Sequence, residues 1–171
     1  MGSYNDALAL GIVTESPPNT ALVRKYASRP GGSINIEQQL SDNIGLFLRS
    51  SLNDGSKEAY EFTEIDRSLS LGLSLKGADW ARPEDTLGLA ASVNSISDSA
   101  RAYFAAGGMG ILIGDGQLPH YRSETIFEAY YSSQLTDRLA ASADYQFIAN
   151  PAYNSERGPI SILGARLHAQ F

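Results

Sequence analysis

The feature that most limits what this chain can become is a run of strict alternation. In RSLSLGLSLK (67–76), Leu69, Leu71, Leu73 and Leu75 alternate with Ser68, Ser70, Gly72, Ser74 and Lys76. Successive side chains of a β-strand point to opposite faces, so this stretch predicts a strand with one aliphatic face and one small, polar face. An aliphatic face that regular must meet either a protein core or the acyl chains of a bilayer.

The same period recurs along the chain. Ile34 and Ile36 alternate with Asn35 and Glu37; Ile44, Leu46 and Leu48 oppose Arg49 and Ser51; Leu87, Leu89, Ala91 and Val93 oppose Gly88, Ser92 and Asn94. Further on, Phe127, Ala129 and Tyr131 oppose Glu128 and Tyr130, and Tyr145 and Phe147 oppose Asp144 and Gln146. Last, Leu163, Ala165, Leu167 and Phe171 oppose Gly164, Arg166 and His168. The spacing predicts an all-β chain, an antiparallel meander of about seven long strands. Helical character is confined to SDSARAYFAA (97–106), with Ser97 or Asp98 as its cap. Residues 1–30 are expected to be a loop or partial segment ahead of the first clear strand, and 31–171 the strand domain.

Connection lengths alternate as well. SDN (41–43), KGADWARPED (76–85) and TDR (136–138) are compact, whereas 54–66, 97–123 and 149–158 are longer and polar. Short turns at one end and long loops at the other are the connection pattern of a transmembrane β-barrel. Strands of about ten residues also exceed the ~5–6 typical of soluble sheets and match the ~9–11 of membrane strands. Ten residues at ~3.3 Å, tilted by ~40°, cover roughly the ~25 Å apolar band of an outer-membrane barrel. No Asp, Glu, Lys or Arg is expected on the apolar register, where a basic charge at mid-depth costs ~2–4 kcal/mol. The expected lipid-facing residues are Leu69, Leu71, Leu73, Leu75, Phe127, Tyr145, Phe147 and Leu167. Trp80, Tyr145, Phe147 and Phe171 fall near strand ends and suit interfacial girdles.

Composition removes competing classes. Thirteen basic against nineteen acidic residues give a net charge of −6, which argues against nucleic acid as a partner. Without cysteine there is no disulfide scaffold and no thiolate metal site. The opening MGSYNDALAL has no secretory signal pattern, and no run reaches the ~20 apolar residues of a spanning helix. GLSLK is not a nucleophile elbow, His120 and His168 are far apart in sequence, and GMGILIG lacks the spacing of a dinucleotide loop. No catalytic centre, metal site or cofactor is expected.

FTEIDRSLSLGLSLKGADWARPEDTLGLAASVN (62–94) resembles the carbohydrate-selective porin family of the OprB type. NIEQQLSDNIGLF, NDG, GDG, EAYY, DYQFIANPAYNSERGP and LGARLHAQF carry the likeness from about Tyr4 to Phe171. The resemblance implies an outer-membrane barrel of about sixteen strands in a Gram-negative bacterium, admitting carbohydrates and small solutes by passive diffusion. This chain then looks like its C-terminal half, with the remaining N-terminal strands, outer-membrane lipid and the barrel-assembly machinery as partners. The expected pore-lining and sugar-contact residues are Glu37, Arg49, Arg67, Asn94, Glu128, Tyr130, Asp144, Gln146 and Arg166, and Phe171 resembles a C-terminal insertion signal. Each lining residue has an alternative role as one member of a cross-strand ladder. The same pattern also suits a structural or adhesive membrane barrel, or a soluble β-barrel that binds a small ligand.

Overall fold

The computed structural model describes residues 1–60, 64–110, 113 and 118–171. The GDG segment (114–116) lies outside the described residues. All seven alternating segments are strands: β1 (Gly31–Ser41), β2 (Ile44–Asn53), β3 (Arg67–Gly77), β4 (Arg82–Ser95), β5 (Glu124–Thr136), β6 (Leu139–Ala149) and β7 (Ile160–Ala169). They form one antiparallel sheet in chain order, a meander in which each strand pairs with its sequence neighbours. The compact turn between β3 and β4 is shorter than KGADWARPED implies, because β4 begins at Arg82. Pro83 falls in the irregular stretch between the pairs Gly77–Arg82 and Lys76–Thr86, where no ladder N–H is required of it.

Register keeps the two faces apart across the whole sheet. Leu71 stands between Leu48 and Ala91, and Ser70 between Arg49 and Ser92. Further along, Phe127–Phe147 and Tyr145–Leu163 share the apolar face, while Glu128–Gln146 and Ser142–Arg166 share the polar one. A soluble sheet would bury the apolar set, and here the opposite holds. Leu69, Leu71 and Leu167 are 52%, 48% and 69% exposed.

The buried core lies elsewhere, at the end where the three long connections leave the sheet. Contrary to the expected loop, residues 4–14 form a helix, α1 (Tyr4–Thr14), whose first turn is capped by the Ser3 hydroxyl accepting from the Asp6 N–H at 3.2 Å. Its buried residues Tyr4, Ala7 and Gly11 follow the helical spacing. They face α2 (Asp98–Ala105), which is capped by Ser97, one of the two caps its sequence offers. Tyr4, Tyr103 and Phe104 cluster with centroids 4.9–6.1 Å apart, and Ile96, Ile113, Leu118 and Tyr153 complete the core.

Polar tethers bind this cap to the strand ends. Buried Asp66 accepts from Arg29 and, at 2.7 Å, from the Ser97 N–H; its own backbone carbonyl accepts from Asn53 N–H at 2.9 Å. One residue at the start of β3 thus joins the segment ahead of β1, the end of β2 and the start of α2. Glu58 receives Arg24 at 2.7 and 3.0 Å and the Gly2 N–H at 2.7 Å. Burial pushes the Glu58 carboxyl up, but these hydrogen bonds, together with one from Thr20, outweigh it and hold the group at about 2.

Two outcomes follow for the cap. Asp66→Ala leaves Arg29 without its partner, a change that costs about 3–5 kcal/mol when the pair is buried. Hydrogen exchange should then quicken in α1 and α2 while the amides of β3 to β6 keep their protection. The second outcome concerns pH. A carboxyl lowered from 4.5 to about 2 contributes stability in full above about pH 4.5, and loses it as pH falls toward 2. Exchange at residues 2–24 should therefore rise over that window, and Glu58→Gln should flatten the rise.

Candidate functional site

The polar face is the hollow one. A trough of about 710 Å³ runs over it at the short-turn end, lined among others by Glu37, Gln39, Phe47, Ser74, Gly88, Ala90, Glu128 and Tyr130. Charged and amide groups stand in cross-strand pairs along this wall. Arg49 donates to Asn35 at 3.0 Å and Glu37 at 3.2 Å, with its guanidinium 5.1 Å from the Phe47 ring centre. Gln146 donates to Glu128 at 3.0 Å. Nearer the cap, Ser68 donates to the Asn94 oxygen at 2.8 Å, and the Asn94 amide to Glu124 at 3.3 Å. The hydroxyls of Ser70 and Ser92 meet at 2.9 Å between them.

Eight of the nine expected lining residues stand on this face: Glu37, Arg49, Asn94, Glu128, Tyr130, Asp144, Gln146 and Arg166. Arg67 does not. It pairs with Leu52 and Ser95 and keeps step with Leu69, which puts it on the apolar register at the cap end of β3. Asn94 is on the polar face but only 5% exposed and engaged by its neighbours, so it ties strands together beneath the cap. Phe47, Glu124 and Ser92 belong to the wall and were not among the expected lining residues; parity with Arg49 and Asn94 was the available signal for Phe47 and Ser92.

The eight expected lipid-facing residues all lie on the opposite face. The expectation that no charge occupies that register needs correction at Arg67; Asp85, expected in a turn, also falls on it because β4 begins at Arg82. Both are at strand ends, where a charge costs about 0–1 kcal/mol rather than the mid-depth penalty. Asp85 is moreover fully engaged. It accepts from Arg82 at 2.9 Å, the Tyr131 hydroxyl at 2.6 Å and the Gln134 N–H at 3.0 Å. Trp80 donates in turn to Tyr131 at 3.1 Å, which builds an amphipathic aromatic cluster at the short-turn rim. Phe171 lies beyond the last ladder pair, fully exposed.

An exposed aliphatic face, a hollow polar face, strands of ten residues or more and long connections at one end define the wall of a membrane β-barrel. The chain belongs to the carbohydrate-selective porin, OprB family, whose profile matches residues 2–171. The high-pH structure of Pseudomonas putida OprB has a similar fold, with a TM-score of 0.60 at 24% sequence identity. That match covers 75% of this chain and 30% of that one. No curated protein matches the chain at a significant level.

The two faces make opposite demands on the same substitution. In the full-length protein, Leu71→Arg places a charge at mid-depth on the apolar face and should cost ~2–4 kcal/mol, seen as reduced folding into liposomes. Ser70→Arg, one residue away, should fold at close to the wild-type level.

Proposed function

We propose that the complete protein is a porin of the Gram-negative outer membrane, passing carbohydrates and other small solutes by passive diffusion, and that this chain supplies seven strands of its wall. The observation that carries the reading is the hollow polar face, backed by an aliphatic face that has no protein partner among the described residues. A water-filled lumen explains why hydrogen-bonding groups such as Glu128–Gln146 and Arg49–Glu37 line the inside of a sheet whose leucines point outward. The family assignment supports the same reading and favours carbohydrate over an adhesive role.

The chain's own partners follow from its edges. β1 and β7 each pair on one side only, so the barrel needs further strands to close around the lumen. Leu69, Leu71, Leu73 and Leu75 take the acyl chains, and exposed Phe171 is available to the machinery that inserts barrels. The eight polar-face residues set the charge of the passage, with the carboxylates of Glu37, Glu128 and Asp144 interspersed with the cations of Arg49 and Arg166.

The test uses the full-length protein in liposomes. Swelling in glucose and in a disaccharide, at rates that fall with solute size, is the expected result. A barrel that folds and conducts ions but gives no sugar-dependent swelling would remove the carbohydrate function.

A further inference from the structure

On the polar face, β3 and β4 carry almost nothing at their middles. Gly72 pairs with Ala90 and Ser74 with Gly88, so four adjacent positions form a floor of small residues. Two aromatic rings lie down on that floor from opposite sides. Phe47, from β2, covers Gly72 so closely that a Cβ there would sit 2.3 Å from the ring. Tyr130, from β5, covers Gly88, where a Cβ would come within 2.1 Å of its ring. Neither ring could adopt this posture over any residue but glycine. Glu37 pairs with Phe47, and Glu128 pairs with Ala90 beside Tyr130, so a carboxylate flanks each ring. Phe47, Gly88, Tyr130 and both glutamates line the trough.

We infer that this floor is a subsite for the ring of a neutral hexose, held between Phe47 and Tyr130. The inference rests on the porin reading and adds to it a place where the permeant pauses. A pyranose has an apolar C–H face and a rim of hydroxyl donors. The first matches an aromatic face, and the second matches carboxylates, which only accept. Glu128 is hydrogen-bonded to a neutral amide and Glu37 shares the Arg49 cation; with Asp42 and Lys76 also lining the trough, three carboxylates face two cations, so the local charge is net negative and disfavours an anionic sugar. A trough of about 710 Å³ lies within the ~300–1,000 Å³ range of small-ligand sites. A ring that covers a glycine also supports the sheet. That role alone does not call for two rings converging on adjacent strands with a carboxylate at each.

Planar-bilayer recording on the full-length protein tests the assignment, with glucose as the probe and block of the ion current as the readout. Tyr130→Ala and Phe47→Ala should each weaken glucose block roughly three- to tenfold, with block measured as a fraction of each variant's own open-channel current. Tyr130→Phe should retain block. Tyr130→Leu, which still covers Gly88 but has no ring, should lose it and decides the matter if the alanine variant fails to assemble. Glucuronate should block less than glucose, and Glu128→Gln should narrow that gap. Glucose block unchanged in Tyr130→Leu and Phe47→Ala would overturn the subsite and leave both rings as covers for their glycines, with the porin reading intact. An ion-conducting wild-type channel that neither binds nor passes sugar would fail the porin reading instead, and the subsite with it.

Discussion

Inside a hydrocarbon layer every backbone N–H and C=O must find its partner within the protein, because water is not there to supply one. The meander satisfies this for β2 to β6, each hydrogen-bonded on both sides by its sequence neighbours. Among the described residues, the outer edges of β1 and β7 are left with a row of unpaired groups apiece. At several kcal/mol per group, an edge of about ten residues outweighs the marginal stability of any domain. An open sheet of this kind therefore cannot sit in a bilayer by itself, and on the porin reading the missing strands are required by energetics rather than by analogy.

The same constraint explains where the ladder is irregular. Its three register shifts fall at Gln39/Ser41, Lys76/Gly77 and Gln134/Thr136, all beside short turns. A bulge leaves a residue unpaired, which is tolerable at a wetted rim and costly at mid-depth. Between the rims the pairing runs unbroken, and the parity of every strand is preserved through the leucine band. A slip of one residue anywhere would carry Arg49 or Glu128 outward and a leucine inward, so the aliphatic face fixes the register that the lumen depends on.

At the opposite rim the protein changes solvent and, with it, its building rules. The cap has a conventional buried core of Tyr4, Tyr103 and Phe104, and its acids are buried with partners rather than exposed on a wall. Asp66 accepts from Arg29 and the Ser97 N–H, and the Glu64 carboxylate accepts the Ile113 N–H at 3.0 Å. The Tyr153 hydroxyl donates to the Glu64 backbone carbonyl at 2.8 Å, which links the last long connection to the first. These bonds tie described residues of the three long connections together at one rim, whose order rests on ionised carboxylates such as Glu58 rather than on lipid.

Seven strands and α2 were legible in the sequence because a period of two and a cap at Ser97 are local signals. α1 was not, since Ala7, Leu8, Leu10, Ile12 and Val13 surround the helix without a clear stripe, and only Ser3 and the Tyr4–Ala7–Gly11 spacing mark it. Arg67 was misassigned for a different reason: its charge outweighed its parity with Leu69, and a strand end at the interface tolerates the charge that parity places there. The ring seats illustrate a limit of another kind. Parity alone puts Phe47, Gly72, Gly88 and Tyr130 on one face, but which ring meets which glycine depends on how two neighbouring strands are offset. That offset is set by the turns and their bulges, and it matters here because moving β2 by two residues would keep Phe47 on its face yet lay the ring across Ser70 or Ser74, where a side chain would prop it up. The floor between the rings thus exists only in the register that the turns and bulges select from those the far-side leucines allow.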